Sequence, residues 1–237
     1  IEAFLASARR FEVTAGGTRV AGWSWGDGPA VYLVHGWAGI GGQLAAFAEP
    51  LLASGFRVVT FDAPGHGASA GRRSSILHFA HALREVVAQE GKAHGVIAHS
   101  LGAAAVVHAL TQGLDVNRAV FVGPTGGPRD WAERFRSHLR VPGHVMALMR
   151  ARSERWLGAS WDEFDIPLLA RSQSAPLLVL HDRDDDEVAW TDGAAIAEAW
   201  PGARLVTTTG LGHRRILRDA QVVSQAVSFV SGATTPR

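Results

Sequence analysis

Short apolar runs alternate with amphipathic stretches along most of the chain. Residues 8–14 and 18–25 read as two strands joined by the hairpin dipeptide Gly16-Gly17. Ala30-Val31-Tyr32-Leu33-Val34 is continuously apolar, as a strand buried on both faces must be. Leu44, Phe47, Ala48, Leu51 and Leu52 then recur at helical spacing, Gly55 closes that helix, and Phe56–Phe61 is the next strand. Ile76, Phe79, Ala80, Leu83, Val86 and Val87 form one stripe of a helix, with His78, His81, Arg84 and Glu85 off it. Further strands are predicted up to His99, over Val116–Val122, over Leu177–Leu180 and over Arg204–Thr209. Helices are predicted after Ser100, around 190–200 and over 214–230, the last with Ile216, Ala220, Val223, Val227 and Val230 facing inward. Residues 231–237 read as a frayed tail.

Repeated strand–helix alternation implies a mostly parallel central sheet with helices on both faces. The pattern breaks at 125–172, which holds Trp131, Trp156 and Trp161 and no strand-like run; Phe135, Leu139, Val145, Leu148 and Met149 suggest short helices. This stretch reads as a small helical insertion covering one edge of the sheet. The chain is therefore expected to be a single α/β domain over 1–237, with a core of 1–124 and 173–237 and a cap of 125–172.

Sites in such sheets lie beyond the carboxyl ends of the strands, where His35, Asp62, Ser100 and Gly123 fall. Val96-Ile97-Ala98-His99-Ser100-Leu101-Gly102 carries a strand through a serine directly into an Ala-rich helix. That is the pattern of a nucleophile elbow, where strand and helix nearly touch and only small residues fit two positions either side of the serine. Ala98 and Gly102 satisfy the requirement.

Composition narrows the field. A net charge of +1 demands neither nucleic acid nor an anionic membrane. The absence of cysteine removes disulfides, thiolate metal sites and cysteine nucleophiles together. No apolar run approaches the roughly 20 residues of a membrane span, no leader opens the chain and Ile1 reads as a trimmed start, so a cytoplasmic location is expected. Gly39-Ile40-Gly41-Gly42 lacks the third glycine of a dinucleotide loop, and Lys92 has no phosphate-loop setting.

Acyl transfer by serine needs a base near the hydroxyl, a carboxylate behind the base, and donors for the oxyanion. Two later strand-end loops supply candidates: His181-Asp182-Arg183-Asp184-Asp185-Asp186-Glu187-Val188 and Gly210-Leu211-Gly212-His213. Together with His35-Gly36, Asp62-x-x-Gly65-His66-Gly67-x-Ser69 and Ala98-x-Ser100-x-Gly102, these motifs resemble the α/β-hydrolase superfamily over nearly the whole chain. The resemblance implies an α/β-hydrolase fold, with Ser100 as nucleophile, His213 as general base and acid, and an aspartate within 182–186 behind it. Asp185 matches the family spacing. The resemblance also implies an oxyanion hole from the backbone N–H groups of Trp37 and Leu101. The expected activity is a cofactor-free, carboxylesterase-like cleavage of an ester or thioester of a small molecule, with Trp131, Trp156 and Trp161 as candidate substrate contacts. Carbon–carbon hydrolysis, perhydrolysis, a lyase step, or a non-turnover small-molecule-binding member are the alternatives. A dehalogenase would carry a carboxylate where Ser100 stands.

Three departures from the family pattern stand beside Ala98: Asp182 where glycine is frequent, Ala189 in place of a proline, and the bulk of Trp37. His35 and His66 are read as loop-shaping residues and His99 as a packing residue. His78 and His81, three apart on a helix, lack a convergent carboxylate, so no metal site is expected. In the run Asp184-Asp185-Asp186-Glu187, the carboxylates not used behind His213 are read as solvated.

Overall fold

The computed structural model describes residues 2–232; the tail expected over 233–237, like Ile1, lies outside the described residues. In chain order the elements are α1 (Glu2–Ala6), β1 (Arg9–Ala15), β2 (Thr18–Trp25), β3 (Ala30–Val34), α2 (Ala48–Ala53), β4 (Arg57–Phe61) and α3 (Ile76–Glu90). They continue as β5 (Ala93–His99), α4 (Leu101–Thr111), β6 (Val116–Val122), α5 (Pro128–Leu139), α6 (Gly143–Leu157) and α7 (Ile166–Ala170). The chain then completes β7 (Leu177–Asp182), α8 (Trp190–Ala199), β8 (Arg204–Thr208), α9 (Gly212–Arg215) and α10 (Ala220–Val230).

The eight strands form one sheet in the order β1-β2-β4-β3-β5-β6-β7-β8. Only the β1–β2 and β2–β4 pairs are antiparallel; every pair from β3–β4 onward is parallel. The alternation of side chains along each strand feeds two separate cores. Tyr32, Val34, Phe61 and Phe121 pack with Phe79 and Leu83 of α3 and the small residues Ala103–Val107 of α4. Val31, Leu33, Val58, Val120 and Leu178 pack on the other face with Phe47, Leu51 and the Val222–Val230 side of α10. Strands β3 and β7 are buried at every position, which is why Ala30–Val34 and Leu177–Leu180 read as unbroken apolar runs.

Three details differ from the sequence reading. The helix expected over 44–52 is a 3-10 turn, Gly41–Phe47, running into α2. Strand β7 runs through His181 and Asp182, two residues past the expected end near Leu180, because both residues pair with β8. The helix expected over 214–230 is broken into α9, a 3-10 turn (Ile216–Arg218) and α10. The break is at Asp219, whose carboxylate accepts the Gln221 and Val222 N–H groups and so starts a new helix. Ala220 is consequently exposed, while Val222, Ala226 and Phe229 join Val223, Val227 and Val230 in the core.

The excursion between β6 and β7 has two characters. Helix α7 packs on α4 and α8, with Ile166 and Ala170 fully buried in the core. Helices α5 and α6 stand further out: α5 buries only Ala132, and α6 buries nothing completely. Charge holds them in place. Arg134 makes two 3.1 Å bonds to the Asp192 carboxylate, which also accepts the Gly126 N–H, and Arg129 and Arg150 converge on Asp162.

Helix α4 approaches the end of β3 closely. A Cβ on Gly102 would lie 2.5 Å from the His35 carbonyl oxygen and 2.7 Å from that of Val34. Both are backbone atoms that cannot swing away. Gly102→Ala is therefore expected to destabilise the protein by about 1–3 kcal/mol. Denaturant unfolding measures it, and an unchanged midpoint would contradict the close approach.

Candidate active site

The carboxyl ends of β3, β5, β6, β7 and β8 meet at one edge of the sheet, and the chemistry-bearing residues collect there. Ser100 sits between β5 and α4 with φ 52° and ψ −121°, a left-handed conformation strained for a residue with a side chain. Its N–H donates to the Val122 carbonyl (3.1 Å), and its carbonyl accepts the Ala103 N–H (3.1 Å), so the turn is held from both sides. Ala98, where the elbow pattern has glycine, is fully buried in the α4 core, so its methyl group is accommodated.

His213 lies on the single turn of α9 and is buried; its Nδ1–H donates to Asp185 Oδ2 at 2.7 Å. The other carboxylate oxygen, Oδ1, accepts the backbone N–H groups of Glu187 (2.9 Å) and Val188 (2.8 Å). His181 Nε2 stands 3.4 Å from Oδ2 and 3.1 Å from the Val188 carbonyl. Burial by itself would raise the Asp185 pKa. The bonds from His181, His213 and the Val188 N–H overturn that and hold the carboxyl well below the usual range, so it is ionised at neutral pH.

The four aspartates considered behind the histidine do different things. Asp182 accepts the Asp184 N–H, the Thr208 hydroxyl and the Leu211 N–H. Asp184 accepts the Gly210 N–H. These two tie the loop after β7 to the loop carrying His213. Asp186 is exposed, and Asp185 is the one that touches the imidazole. Asp182, in the position where glycine is frequent, is thus a loop brace. Ala189 has φ −60° and ψ 136°, a conformation in which a proline would also fit.

Ser100 and His213 line one cavity of about 440 Å³, together with Trp37, Leu101, Trp131 and Val188. Ser100 Oγ has no hydrogen-bond partner among the described residues. The Trp37 and Leu101 backbone N–H groups are likewise not taken up by other described residues. The loop carrying Trp37 is fixed from below. His35 accepts the Ala63 N–H at Nε2 and donates from Nδ1 to the Gly36 carbonyl. His66 Nε2 accepts the N–H of Ala38, which has a positive φ of 56°. The Asp62 carboxylate accepts the Gly41 and Ala68 N–H groups. The strand-end motifs are braces for this loop.

The three tryptophans separate in space. Trp131 lines the Ser100 cavity and stacks on Phe135. Trp156 stacks on His78 and lines an adjoining groove. Trp161 lines neither; its Nε1–H donates to Ser153 and Arg150 covers its ring. His78 is also bonded to Ser75, and among the described residues no group of three or more metal-ligating side chains is arranged to hold an ion.

Two histidines carry more than the sequence reading assigned them. His99 is buried, donates from Nε2 to the His213 carbonyl (3.0 Å), and lies 4.4 Å from the His213 ring, centroid to centroid. His181, read only as the opening of a loop pattern, is fully buried beneath the Asp185 carboxylate. For His181 the signal was present: a histidine four positions before the acid and seven before the valine that closes the loop.

Residues 31–226 match the sequence profile of the alpha/beta hydrolase family. No curated protein sequence matches the chain. Among solved structures, an esterase from Exiguobacterium antarcticum is 17% identical, with a TM-score of 0.74 over 94% of this chain and 99% of that one. A bromoperoxidase from Bacillus anthracis is 19% identical (TM-score 0.72, 94% and 99% covered). The alpha/beta hydrolase domain-containing protein 10 from mouse is 14% identical (TM-score 0.76, 95% and 98% covered). At these identities the likeness is one of fold. No helix among the described residues is long and apolar enough to cross a membrane.

Burial sets a pH dependence. It lowers the His35 pKa from 6.5 to about 4 and the His99 pKa from 6.5 to about 3. Below pH 6.5 the unfolded chain takes up protons that the folded chain refuses, so this stability is whole above that pH and is lost as pH falls. From pH 7 to pH 5 the two groups are expected to cost on the order of 3 kcal/mol. Asp185, with its lowered pKa, contributes only nearer the ordinary carboxylate range. Denaturant titrations at pH 7, 6 and 5 test this; a flat profile would mean that the two imidazoles are not buried and neutral.

Proposed function

The chain belongs to the alpha/beta hydrolase family, and from that premise we propose that it is a serine hydrolase acting on an ester, thioester or related acyl bond of a small molecule. The observation that carries the reading is the 2.7 Å bond between His213 and the buried, ionised Asp185, facing the same cavity as the elbow serine. Ser100 attacks the carbonyl carbon while His213 Nε2 takes its proton. Asp185 accepts from Nδ1–H, which leaves Nε2 as the basic nitrogen and stabilises the imidazolium once it forms. The negative charge developing on the carbonyl oxygen is met by the N–H groups of Leu101, at the start of α4, and of Trp37. The proton returns through His213 to the leaving group, and water repeats the sequence on the acyl-enzyme. No step draws on a cofactor or metal.

In this reading α5 and α6 form the cap, with Trp131 as a wall of the acyl cavity. The likeness in fold to an esterase accords with it. The hydrolysis of p-nitrophenyl esters by aspartate variants is the test. Asp185→Asn is expected to fold and lose on the order of 10⁴ in kcat, because the imidazole adopts the wrong tautomer. Asp186→Asn is expected to stay near wild type. Asp184→Asn is expected to fall between, through looser placement of the His213 loop. A near-wild-type Asp185→Asn would remove this carboxylate from the mechanism.

A further inference from the structure

Beside the Ser100 cavity lies a second, more open hollow of about 720 Å³, between α6 and the loops after β3 and β4. Helix α6 lines it with Met149, Arg152, Ser153 and Trp156, which recur at i, i+3, i+4 and i+7 and so share one face. Across from them stand Arg72 and Arg73, and no carboxylate of the described residues lines the hollow. Arg72, Arg73 and Arg152 make no ion pair among the described residues. Of the arginines on the same two outer helices, Arg129, Arg134, Arg136 and Arg150 are each paired to an acid, and Arg155, which does not line the hollow, is not. Three unpaired guanidinium groups around one hollow concentrate positive potential there, although the chain's net charge is only +1. Trp37 and Ala38 line both this hollow and the Ser100 cavity, so the two adjoin at the loop that carries the Trp37 N–H.

We propose that this groove binds the remote end of the substrate, and that this end carries a phosphate or carboxylate. The inference rests on the serine-hydrolase reading of Ser100 for its kinetic consequence, though not for binding itself. Arginine suits either anion because its planar fork meets two oxygens at once. The exposed Trp37, Trp156 and Met149 offer an apolar bed for the segment joining the anion to the acyl carbon. A neutral ester would leave the three cations unused. The preferred substrate is therefore an anionic small-molecule ester or thioester reaching from Ser100 past Trp37.

Two measurements test this. In calorimetry on Ser100→Ala protein, phenyl phosphate and benzoate are expected to bind at least about tenfold more tightly than uncharged phenol, with an advantage that shrinks as salt is raised. The tighter of the two anions identifies the group. The Arg72→Gln/Arg73→Gln/Arg152→Gln triple variant changes exposed side chains only, and is expected to erase that advantage. In kinetics, the p-nitrophenyl hemiester of hexanedioic acid is expected to exceed p-nitrophenyl hexanoate in kcat/KM by about tenfold or more, and the ratio to collapse in the triple variant. Equal binding of anions and phenol, or an anion preference that survives loss of all three arginines, would overturn the proposal. Failure of the wild type to turn over either ester would overturn the hydrolase reading instead, and the calorimetry would still decide the groove.

Discussion

The candidate site depends on one buried charge. The Asp185 carboxylate is withdrawn from water, yet every bond it accepts favours its ionised form: two backbone N–H groups on one oxygen, and His213 with His181 alongside on the other. A buried carboxylate without those donors would take up a proton, and a protonated acid would no longer fix the tautomer of His213. The surrounding loops are organised to supply the donors. Asp182 and Asp184 tie the end of β7 to the loop after β8, and Val188 anchors the turn beneath the carboxylate. The acidic run is therefore divided between one carboxylate facing the imidazole and two that hold the loops in register.

The second constraint is steric. Ser100 adopts a conformation that side chains avoid, and the turn persists because strand, helix and neighbouring loop close around it. Gly102 lets α4 approach β3, and Gly36 lets the next loop pass over the elbow, where an added Cβ would sit 3.0 Å from Ser100 Cβ. His99 fills the remaining space, bonded to the His213 backbone and kept neutral by burial. Ser100, His213 and the Trp37 loop are thus held by close backbone approaches and by buried side chains that bond to backbone groups.

Much of this was legible in the sequence, for reasons specific to each element. Strand β3 is buried at every position and β6 over Ala119–Val122, and turn residues flank both, so their limits could be read almost to the residue. The elbow was visible because only small residues fit beside Ser100. Asp185 stood out through its spacing to His181 and Val188. Other features were hidden because tertiary contacts decide them. Strand β7 extends through Asp182 because β8 pairs with it, not because aspartate favours strands. The last helix breaks at Asp219 because a capping carboxylate outweighs an apolar stripe that continues across the break. The three tryptophans of 125–172 are alike in sequence, yet one faces the cavity, one a groove and one an arginine. No periodicity distinguishes them, since α5 and α6 are held by ion pairs rather than by a deep apolar face.

The central claim is that Ser100 is an activated nucleophile, raised above the chain's other serines by its turn and by His213. The most direct test is to treat the folded protein with a fluorophosphonate, then measure intact mass and map the modified peptide. The account predicts a single adduct, located on Ser100, absent from Ser100→Ala and formed far more slowly by His213→Gln. An adduct on another serine, or labelling of Ser100→Ala at the wild-type rate, would contradict it.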